Sequence, residues 1–397
     1  MNLLHLVSEQ TVQNLLPILA LRPENVIQVR SSEERFIKAA SNLNIAVSAL
    51  DSAGRLLFPM PKFFDWEINK ASPTADQTRR KVGEALSLWP GCVVNLTGGT
   101  KQMSIGAFLA AEYQGEASLY CDSQAGIFLE VSEKYRLPSV PPIREAANLL
   151  TVESLLAAHG IDPAQIKSSL PLVRELAFGN SVDAVYCEDK AGINALLSSI
   201  RNQLHPGGKL AKKSEIDAIL ALGLPEPTLA AHRAFYEAAV KAGYIHEKNG
   251  KYFYLPGEDV GGNDSRLRKT LKISRALVGG WFELLVYDRM FSSGRFSDLR
   301  TEVQSQKNSQ SLGETDILAI DLTRPGLVFV SCKLSDEFLQ KPLEHVFATR
   351  QRAVEFGGTF AQAILCIRDF VIPGRRKTIE EACQVAGVRL VDPLLDL

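Results

Sequence analysis

The chain has 397 residues, of which 46% are hydrophobic and 22% are charged, and its 44 Lys and Arg residues nearly balance 45 Asp and Glu residues to give a net charge of −1. This composition is typical of a folded protein. It excludes a disordered chain and a histone-like polycation, but it leaves room for a local basic groove. At about 150 residues per domain, the length predicts two to three domains.

The sequence has no apolar run of about 18 residues, so we expect no membrane span. The opening segment MNLLHLVSEQ lacks the basic and apolar regions of a signal peptide. Six scattered cysteines without a CxxC pair indicate reduced thiols and argue against a zinc site. Together these features predict a cytoplasmic protein.

Residues 1–143 alternate short apolar strands with helices. The predicted strands are Leu3–Val7, Asn25–Val29, Asn44–Leu50, Cys92–Leu96, Ala117–Cys121 and Ile127–Val131, and the main predicted helices are Ser32–Leu43, Ala75–Leu88 and Lys101–Tyr113. The stretch that holds Pro59, Pro61 and Trp66 is predicted to be irregular. Repeated βα units predict an α/β domain with a mostly parallel, Rossmann-like sheet.

Helical patterns dominate residues 144–262, and the segment IHEKNGKYFYL predicts a hairpin that turns at Asn249-Gly250. Helices followed by such a hairpin suit either a winged-helix-like module or a helical connector without nucleic-acid contact, and the connector is preferred. Residues 263–397 are predicted to form a third, α/β unit. Its expected elements are helix 268–290, strand 314–322, strand 327–333, helix 335–356, strand 360–367 and a closing helix–strand pair.

The segment VVNLTGGTKQMS in the first unit joins an apolar strand to a helix through the turn Thr97-Gly98-Gly99-Thr100. The free backbone N–H groups at the helix start, together with Lys101, favour an anionic ligand. The segment matches neither the Walker A nor the GxGxxG pattern, and a turn that needs glycine for geometry alone is the alternative. The loop Ser8-Glu9-Gln10-Thr11 also follows a strand, and ligands of open α/β sheets bind at the strands' carboxyl ends.

A second candidate site lies in the third unit, in GETDILAIDLTRPGLVFVSCKLSD. Glu314 and Asp316 alternate to one face of a strand, and Ser331 and Lys333 share a face of the next strand. A carboxylate beside a lysine on a neighbouring strand is typical of a metal-dependent phosphodiesterase, where Mg²⁺ or Mn²⁺ polarises the phosphate. Structural roles for the same residues, such as a turn-capping Asp316, are the alternative.

The segments LVSEQTVQNLLP and NLTGGTKQMSIGA resemble the CARF domains of CRISPR ancillary nucleases. CARF domains are dimeric, Rossmann-like sensors of cyclic oligoadenylates, so the resemblance implies a homodimer with such a ligand at its two-fold axis, and cyclic tetra-adenylate is the expected activator. The implied ligand contacts are Ser8, Gln10, Thr11, Thr97, Gly98, Gly99, Thr100 and Lys101.

The order of helix glutamate, strand aspartate, hairpin and lysine resembles the PD-(D/E)xK nuclease fold, the restriction-endonuclease-like fold. The resemblance implies that Asp316 and the backbone carbonyl of Cys332 bind the metal, that Lys333 is the catalytic lysine and that Glu283 is the helix glutamate.

The chain departs from this nuclease pattern at Ser331, where the family has a carboxylate two residues before the lysine. A serine hydroxyl is a neutral, weak metal ligand. We expect Glu283 to supply the missing carboxylate to the catalytic and metal-binding set, and Glu314 is the second choice.

Two basic segments, Arg266–Lys272 and Arg375–Lys377, are either phosphate contacts or solvated faces, and Arg350 and Arg352 face either the cleft or solvent. The resemblance predicts a cyclic-oligoadenylate-activated, metal-dependent nuclease that cleaves DNA, RNA or both in type III CRISPR antiviral defence. The alternatives are a CARF sensor whose inactive nuclease-like domain binds nucleic acid or a partner, and a ring nuclease that degrades its own cyclic ligand.

Overall fold

The computed structural model describes residues 1–137, 139–204, 221–255, 272–307, 310–334, 338, 341–358, 361–368 and 376–391. They form a mixed α/β structure with two six-stranded sheets and a separate hairpin. Among these residues, no helix has both the length and the apolar character needed to cross a membrane.

The first sheet has the strand order β3-β2-β1-β4-β5-β6, and its pairs are parallel apart from the antiparallel pair β5–β6. Its strands are β1 (Asn2–Leu6), β2 (Asn25–Ser31), β3 (Lys62–Ile68), β4 (Cys92–Asn95), β5 (Ala117–Asp122) and β6 (Ile127–Glu130). The helices between them are α1 (Val12–Leu21), α2 (Glu34–Ser52), α3 (Ala75–Leu88) and α4 (Lys101–Gln114). The predicted Rossmann-like sheet is therefore confirmed.

Two details of the prediction for this sheet are wrong. The predicted strand Asn44–Leu50 is the second half of α2, because the buried Leu43, Ala46, Val47 and Leu50 continue one helical face. The stretch predicted to be irregular contains the edge strand β3, whose side chains are mostly half-buried. Such a strand lacks the apolar run that identifies a central parallel strand.

In its described residues, the middle region contains short elements followed by three longer helices and a hairpin. They are α5 (Ile143–Ala147), α6 (Val152–Ala158), a 3-10 turn (Pro163–Gln165), β7 (Lys167–Ser169), α7 (Val173–Glu188), α8 (Lys190–Leu204), α9 (Ala230–Ala242), β8 (Ile245–Lys248) and β9 (Lys251–Tyr254). The predicted hairpin is confirmed, with positive φ at both Asn249 and Gly250, as a type I′ turn requires. The predicted boundary at residue 262 lies outside the described residues.

The second sheet has the strand order β14-β13-β12-β11-β10-β7. Its C-terminal elements are a π-helical turn (Ala276–Gly280), α10 (Trp281–Ser292), β10 (Phe296–Lys307), β11 (Gln310–Asp321), β12 (Gly326–Leu334), α11 (Pro342–Gly357), β13 (Gln362–Arg368), α12 (Arg376–Ala386) and β14 (Val388–Val391). Strands β10, β11 and β12 are antiparallel, whereas β12, β13 and β14 are parallel. The edge strand β7 comes from the middle region.

Each face of the second sheet packs against a different part of the chain. Ile317, Val330 and Cys332 face Phe178 of α7 and Trp281 of α10 in one hydrophobic core. Leu318, Ile320 and Phe329 face the opposite way, into a core that also contains α5, α6 and the α1 and α2 side of the first sheet. The two sheets are thus joined through a continuous apolar layer.

The β11–β12 hairpin is fixed at its turn by the buried carboxylate of Asp321. Arg295 donates to Oδ2 through Nε (3.2 Å) and Nη2 (2.6 Å), and Gln362 donates to the same oxygen (3.0 Å). Oδ1 accepts from the backbone N–H (2.8 Å) and the hydroxyl (2.7 Å) of Thr323. Burial raises the pKa of Asp321, but the hydrogen bonds from Arg295 and Thr323 outweigh burial, and the pKa lies below its usual value.

Candidate functional site

The loops that follow β1 and β4 lie side by side, because these strands are hydrogen-bonded neighbours with His5 opposite Asn95. From β1 the chain first adds β2 and β3 on one side and then adds β4, β5 and β6 on the other side. The boundary between β1 and β4 is therefore the point where the sheet topology switches. Ligand crevices of open α/β sheets occur at such points, outside the carboxyl ends of the strands. The structure therefore brings the loops 7–11 and 96–100 to one edge.

The two glycines of the second loop pack directly on the end of β1. A Cβ on Gly98 would collide with the Leu6 carbonyl oxygen and would lie 3.2 Å from Ser8 Cβ. Gly99 has φ +71°, in the left-handed region, and a Cβ there would lie 3.1 Å from Leu6 Cβ. Both glycines are required by the backbone geometry of the turn, independently of any ligand.

The start of α4 forms the polar part of this edge. Thr100 is the N-cap residue, and its hydroxyl accepts a hydrogen bond from the Met103 N–H (3.3 Å). Ser104 Oγ donates to the carbonyls of Leu96 (3.0 Å) and Gly98 (3.2 Å) and holds the turn against the helix. The exposed Lys101 lies in the first helical turn, so its charge adds to the positive end of the helix dipole.

Three other predicted ligand contacts are turned to internal partners. The Thr97 hydroxyl donates to Asn95 Oδ1 and accepts from the Cys121 N–H, both at 2.6 Å. The buried Thr11 donates to the Ala158 carbonyl of α6 (2.9 Å). Gln10 lines a small cavity between the two sheets together with His159. Ser8, which accepts from the Gln10 N–H (3.0 Å), stays beside Gly98 at the edge.

Two buried asparagines fix this edge from below, and the sequence analysis did not single them out. Asn95 Nδ2 donates to the Gln13 carbonyl (3.1 Å), and Asn14 Nδ2 donates to the Leu6 carbonyl (3.1 Å). The two side chains also contact each other, at 3.3 Å. The sequence signal for this role was an asparagine at the end of an apolar strand. Buried side-chain amides in such positions usually form hydrogen bonds with backbone groups.

We expect Gly98→Ala to destabilise the first unit, because the new Cβ meets a backbone carbonyl that cannot rotate away. Overpacking of this kind costs about 1–3 kcal/mol. Gly83→Ala in α3 is the matched control, since a Cβ there has no neighbour within 4 Å, and it should be neutral or stabilise by about 0.5–1 kcal/mol. Urea unfolding of both variants measures the difference, and equal free energies of unfolding would contradict the close approach.

The second candidate site lies on the β11–β12 hairpin, where the pairing of Ile317 with Val330 sets Asp316 opposite Ser331. Asp316 Oδ2 accepts from the Cys332 N–H (2.7 Å) and from Ser331 Oγ (3.3 Å). Lys333 Nζ lies 3.7 Å from the same oxygen, and both side chains are largely buried. The structure thus brings together the aspartate, serine and lysine that the sequence analysis selected.

Glu283 approaches this group from α10, directly after the π-helical turn. Burial raises the pKa of Glu283 to about 8, the negative charge of Asp316 adds to the increase, and the positive charge of Lys333 opposes it. Glu283 therefore shares one electrostatic environment with Asp316 and Lys333. π-Helical turns occur often at functional sites, where they re-aim the following side chains.

The remaining predicted residues of this site have distinct environments. The Cys332 side chain lies in the core on the opposite face of β12, where burial and a hydrogen bond with Cys366 raise the pKa of its thiol. Glu314 Oε2 lies 3.6 Å from Arg275, and the Glu314 carbonyl accepts from Arg352 (2.9 Å). Arg352 therefore faces β11, whereas Arg350 donates to the Ala361 carbonyl (2.8 Å).

The two basic segments differ in what the structure describes of them. Only Lys272 of the first segment lies within the described residues, and it is 3.6 Å from Glu302. In the second segment, Arg376 pairs with Glu380 and Lys377 with Glu381 along α12, as on a solvated helix face. Arg375 lies outside the described residues.

The donors available for a metal ion at this site are the carboxylates of Asp316 and Glu283 with nearby backbone carbonyls. Within the described part of the chain, no three His, Cys, Asp or Glu side chains converge as a metal-binding group. Carboxylate and carbonyl oxygens nevertheless suit a hard cation such as Mg²⁺ or Mn²⁺, which keeps several waters and needs few protein ligands. The chemistry of the donors fits such an ion.

We expect Glu283→Gln to stabilise the metal-free protein more at about pH 8 than at about pH 5. The pKa of Glu283 is raised above 4.5 in the folded chain, so the charged form is disfavoured by folding. This penalty is absent at low pH, where the group is protonated in both states, and it grows as the pH rises from 4.5 towards 8.

Thermal unfolding in EDTA across this pH range measures the effect. The exposed Glu237→Gln in α9 is the control, because it removes a carboxylate outside this site. A gain in Tm for Glu283→Gln that does not change with pH would contradict the half-buried environment that Glu283 shares with Asp316.

Residues 3–136 match the family model of the Card1 CARF domain. A comparison with curated protein sequences finds no match. Among solved structures, the chain is similar to Can2 from Sulfobacillus thermosulfidooxidans in complex with cyclic tetra-adenylate, with 17% identity, a TM-score of 0.66 and coverage of 99% of this chain and 96% of Can2.

The protein VC1899 from Vibrio cholerae is similar over 99% of this chain and 94% of its own length, with 14% identity and a TM-score of 0.64. A type III CRISPR defence DNA nuclease activated by cyclic oligoadenylate is 16% identical with a TM-score of 0.52, and the match covers 93% of this chain but 45% of that nuclease. At these identities the likeness concerns the fold. Residues 3–136 thus carry the sequence pattern of the Card1 CARF domain, on a chain that shares its overall fold with Can2 and VC1899.

Proposed function

We propose that this protein is a nuclease of CRISPR defence in which a cyclic oligoadenylate, bound by the N-terminal CARF-like unit, activates metal-dependent phosphodiester cleavage in a C-terminal PD-(D/E)xK-like unit. The observation that carries the proposal is that Asp316 and Lys333 meet on the β11–β12 hairpin and that Glu283 of α10 shares their electrostatic environment. The match of residues 3–136 to the Card1 CARF domain supports the sensing half. Two proteins of similar fold support the same proposal, because Can2 was solved in complex with cyclic tetra-adenylate and the type III CRISPR defence DNA nuclease is activated by cyclic oligoadenylate.

The proposed cleavage site uses Asp316, Glu283 and the Cys332 carbonyl to hold Mg²⁺ or Mn²⁺, which would polarise the phosphate and lower the pKa of a bound water. Lys333 is the group that orients the attacking water or offsets the charge that develops on the phosphate. The ammonium of Lys333, 3.7 Å from Asp316, is held at the site by that carboxylate. Ser331 contributes a hydrogen bond to Asp316 in place of the usual second carboxylate.

The proposed sensing site uses the edge formed by Ser8, Gly98, Gly99, Thr100 and Lys101. Backbone N–H groups at the start of α4 and the Lys101 ammonium suit the phosphates of a cyclic oligoadenylate. Thr97 then acts as a positioning residue that links β4 to β5 through its two internal hydrogen bonds. Thr11 and Gln10 connect this edge to α6 and to the cavity at His159.

The proposed homodimer is supported by an exposed apolar stripe on α4. Ile105, Leu109 and Tyr113 lie four residues apart on one helical face, and Tyr113 is 84% exposed. The same helix begins at the proposed sensing edge. Pairing two copies through this stripe would bring two sensing edges close together, as a cyclic ligand on a two-fold axis requires.

We expect Leu109→Asp to shift the protein from dimer to monomer, because a carboxylate buried between two copies is costly. Val385→Asp on α12 is the matched control, since Val385 is also an exposed apolar residue on a helix. Light scattering after size-exclusion chromatography gives the mass of each variant. A dimer that persists in Leu109→Asp would exclude this face as the interface.

We expect cleavage of labelled DNA or RNA in Mn²⁺ to rise when cyclic tetra-adenylate is added, and the ligand to change nothing in EDTA. Asp316→Ala and Lys333→Ala should abolish cleavage, whereas Ser331→Ala should have a mild effect because it removes only a neutral hydroxyl. Lys101→Glu should weaken ligand binding about tenfold or more, because it places a negative charge beside phosphates.

Equal cleavage with and without every ring size tested would contradict ligand activation. Absence of cleavage under all conditions, with intact ligand binding by calorimetry, would instead favour a sensor whose C-terminal unit binds nucleic acid or a partner. Ser331 favours this second function, because it leaves the site one carboxylate short of the family pattern. Ser331→Glu restores that carboxylate and should increase cleavage if the site is a weakened nuclease.

A further inference from the structure

A cleft of about 370 Å³ opens beside the Asp316 site, where β7, β10 and the helical residues 272–275 meet. Three cations line it, namely Lys167 from β7 and Lys272 and Arg275 from the helix. They come from segments about a hundred residues apart in sequence, so the tertiary fold alone gathers them. Two carboxylates, Glu302 and Glu314, lie among them.

Two of the three cations of this cleft, Lys272 and Arg275, are held by weak ion pairs. Lys272 lies 3.6 Å from Glu302, and Arg275 lies 3.6 Å from Glu314. The lysine and arginine side chains are 61% and 76% exposed. Pairs of this length and exposure contribute little free energy, so a phosphate could replace either carboxylate as the partner.

Glu314, which lines the cleft, places the cleft next to the proposed cleavage site along β11. This residue lies two positions before Asp316 on β11, so the two side chains project from the same strand face. An anion that replaces Glu314 as the partner of Arg275 would therefore lie two residues along β11 from Asp316. A strand of nucleic acid bound in the cleft would lead directly to the reacting phosphate.

The opposite wall of the cleft is shaped by an irregularity in β10. Glu302 has φ +52°, which is uncommon for a residue with a Cβ, and the β10–β7 pairing shifts register between Thr301 and Gln304. Ser169 of β7 donates to Glu302 Oε2 (2.7 Å), the oxygen that faces Lys272. Backbone strain of this kind is concentrated at functional positions.

We propose that this cleft binds the phosphodiester backbone of a single nucleic-acid strand, with Lys167, Lys272 and Arg275 as the phosphate contacts. Glu302 holds Lys272 and Glu314 holds Arg275 in place until phosphates displace these carboxylates. The volume of the cleft is in the range of small-molecule sites, which suits a few nucleotides of one strand rather than a duplex. The proposal rests on the proposed nuclease function and assigns the middle region, through β7, a part in substrate binding.

The test measures binding without cleavage, by fluorescence anisotropy of a labelled oligothymidylate of about 16 nucleotides in EDTA. The triple variant Lys167→Gln, Lys272→Gln, Arg275→Gln should weaken binding at least about tenfold and reduce the salt slope by about 2, since each lost phosphate contact contributes about 0.7 for single strands. Arg80→Gln is the matched control, because Arg80 is also exposed and lies 3.5 Å from a carboxylate, in the first unit.

Binding by the triple variant that equals the wild type, or an equal loss in Arg80→Gln, would overturn the cleft proposal. The nuclease assay separates this result from a failure of the proposed function. A wild-type protein that binds the oligonucleotide through the cleft but never cleaves would overturn the nuclease and leave the cleft standing. If the wild-type protein cleaves and the triple variant binds and cleaves normally, the cleft proposal alone is overturned.

Discussion

The fold of the C-terminal half depends on the hydrogen bonds of one buried carboxylate, that of Asp321. It is fully buried at the turn between β11 and β12, and it joins Arg295, Thr323 and Gln362 through five hydrogen bonds. A buried charge is tolerated only when it is paired and hydrogen-bonded, and this one is held by partners from three separate segments. The hairpin is thereby fixed at one end, and Asp316 and Lys333 project from its other end. The geometry of the Asp316–Lys333 group is therefore set by a turn that lies outside the proposed cleavage site.

The same turn is also where the two halves of the molecule meet. Gly126, in the turn between β5 and β6, approaches the Thr323 carbonyl so closely that a Cβ would lie 2.7 Å away. On a neighbouring path, Thr11 is bonded to α6, and the start of α6 is held by Asp298, which accepts from the Val152 N–H (2.6 Å). Packed contacts thus connect the edge formed by loops 7–11 and 96–100 to the second sheet, and under the proposed function they are the route by which a bound ligand would act on the hairpin. Such coupling requires two arrangements of the same contacts that the ligand distinguishes.

Sequence reasoning worked where local patterns carry the information. Central parallel strands are buried on both faces and leave short apolar runs, so most of the first sheet was predictable, whereas the edge strand β3 was not. The residue pattern of Asn44–Leu50 is compatible with a strand and with a helix, and tertiary packing selects the helix. The opposition of Asp316 and Ser331 follows from one antiparallel hairpin. Three features depend on elements that are far apart in sequence, so no local pattern indicates them. They are the burial of Glu283, the hydrogen bond from the Cys332 N–H to Asp316 and the position of β7.

The contribution of β7 has a consequence for how the chain can be divided. Residues 167–169 complete the edge of the second sheet, and α7 packs against Trp281 and Phe282 of α10. A fragment that starts at residue 263 would expose both the backbone groups of β10 and a large aromatic surface. Open edges beside apolar faces pair readily with other chains, so such a fragment would tend to aggregate. The second sheet therefore depends on the segment that precedes it, and a fragment meant to keep the β11–β12 hairpin folded should begin before β7.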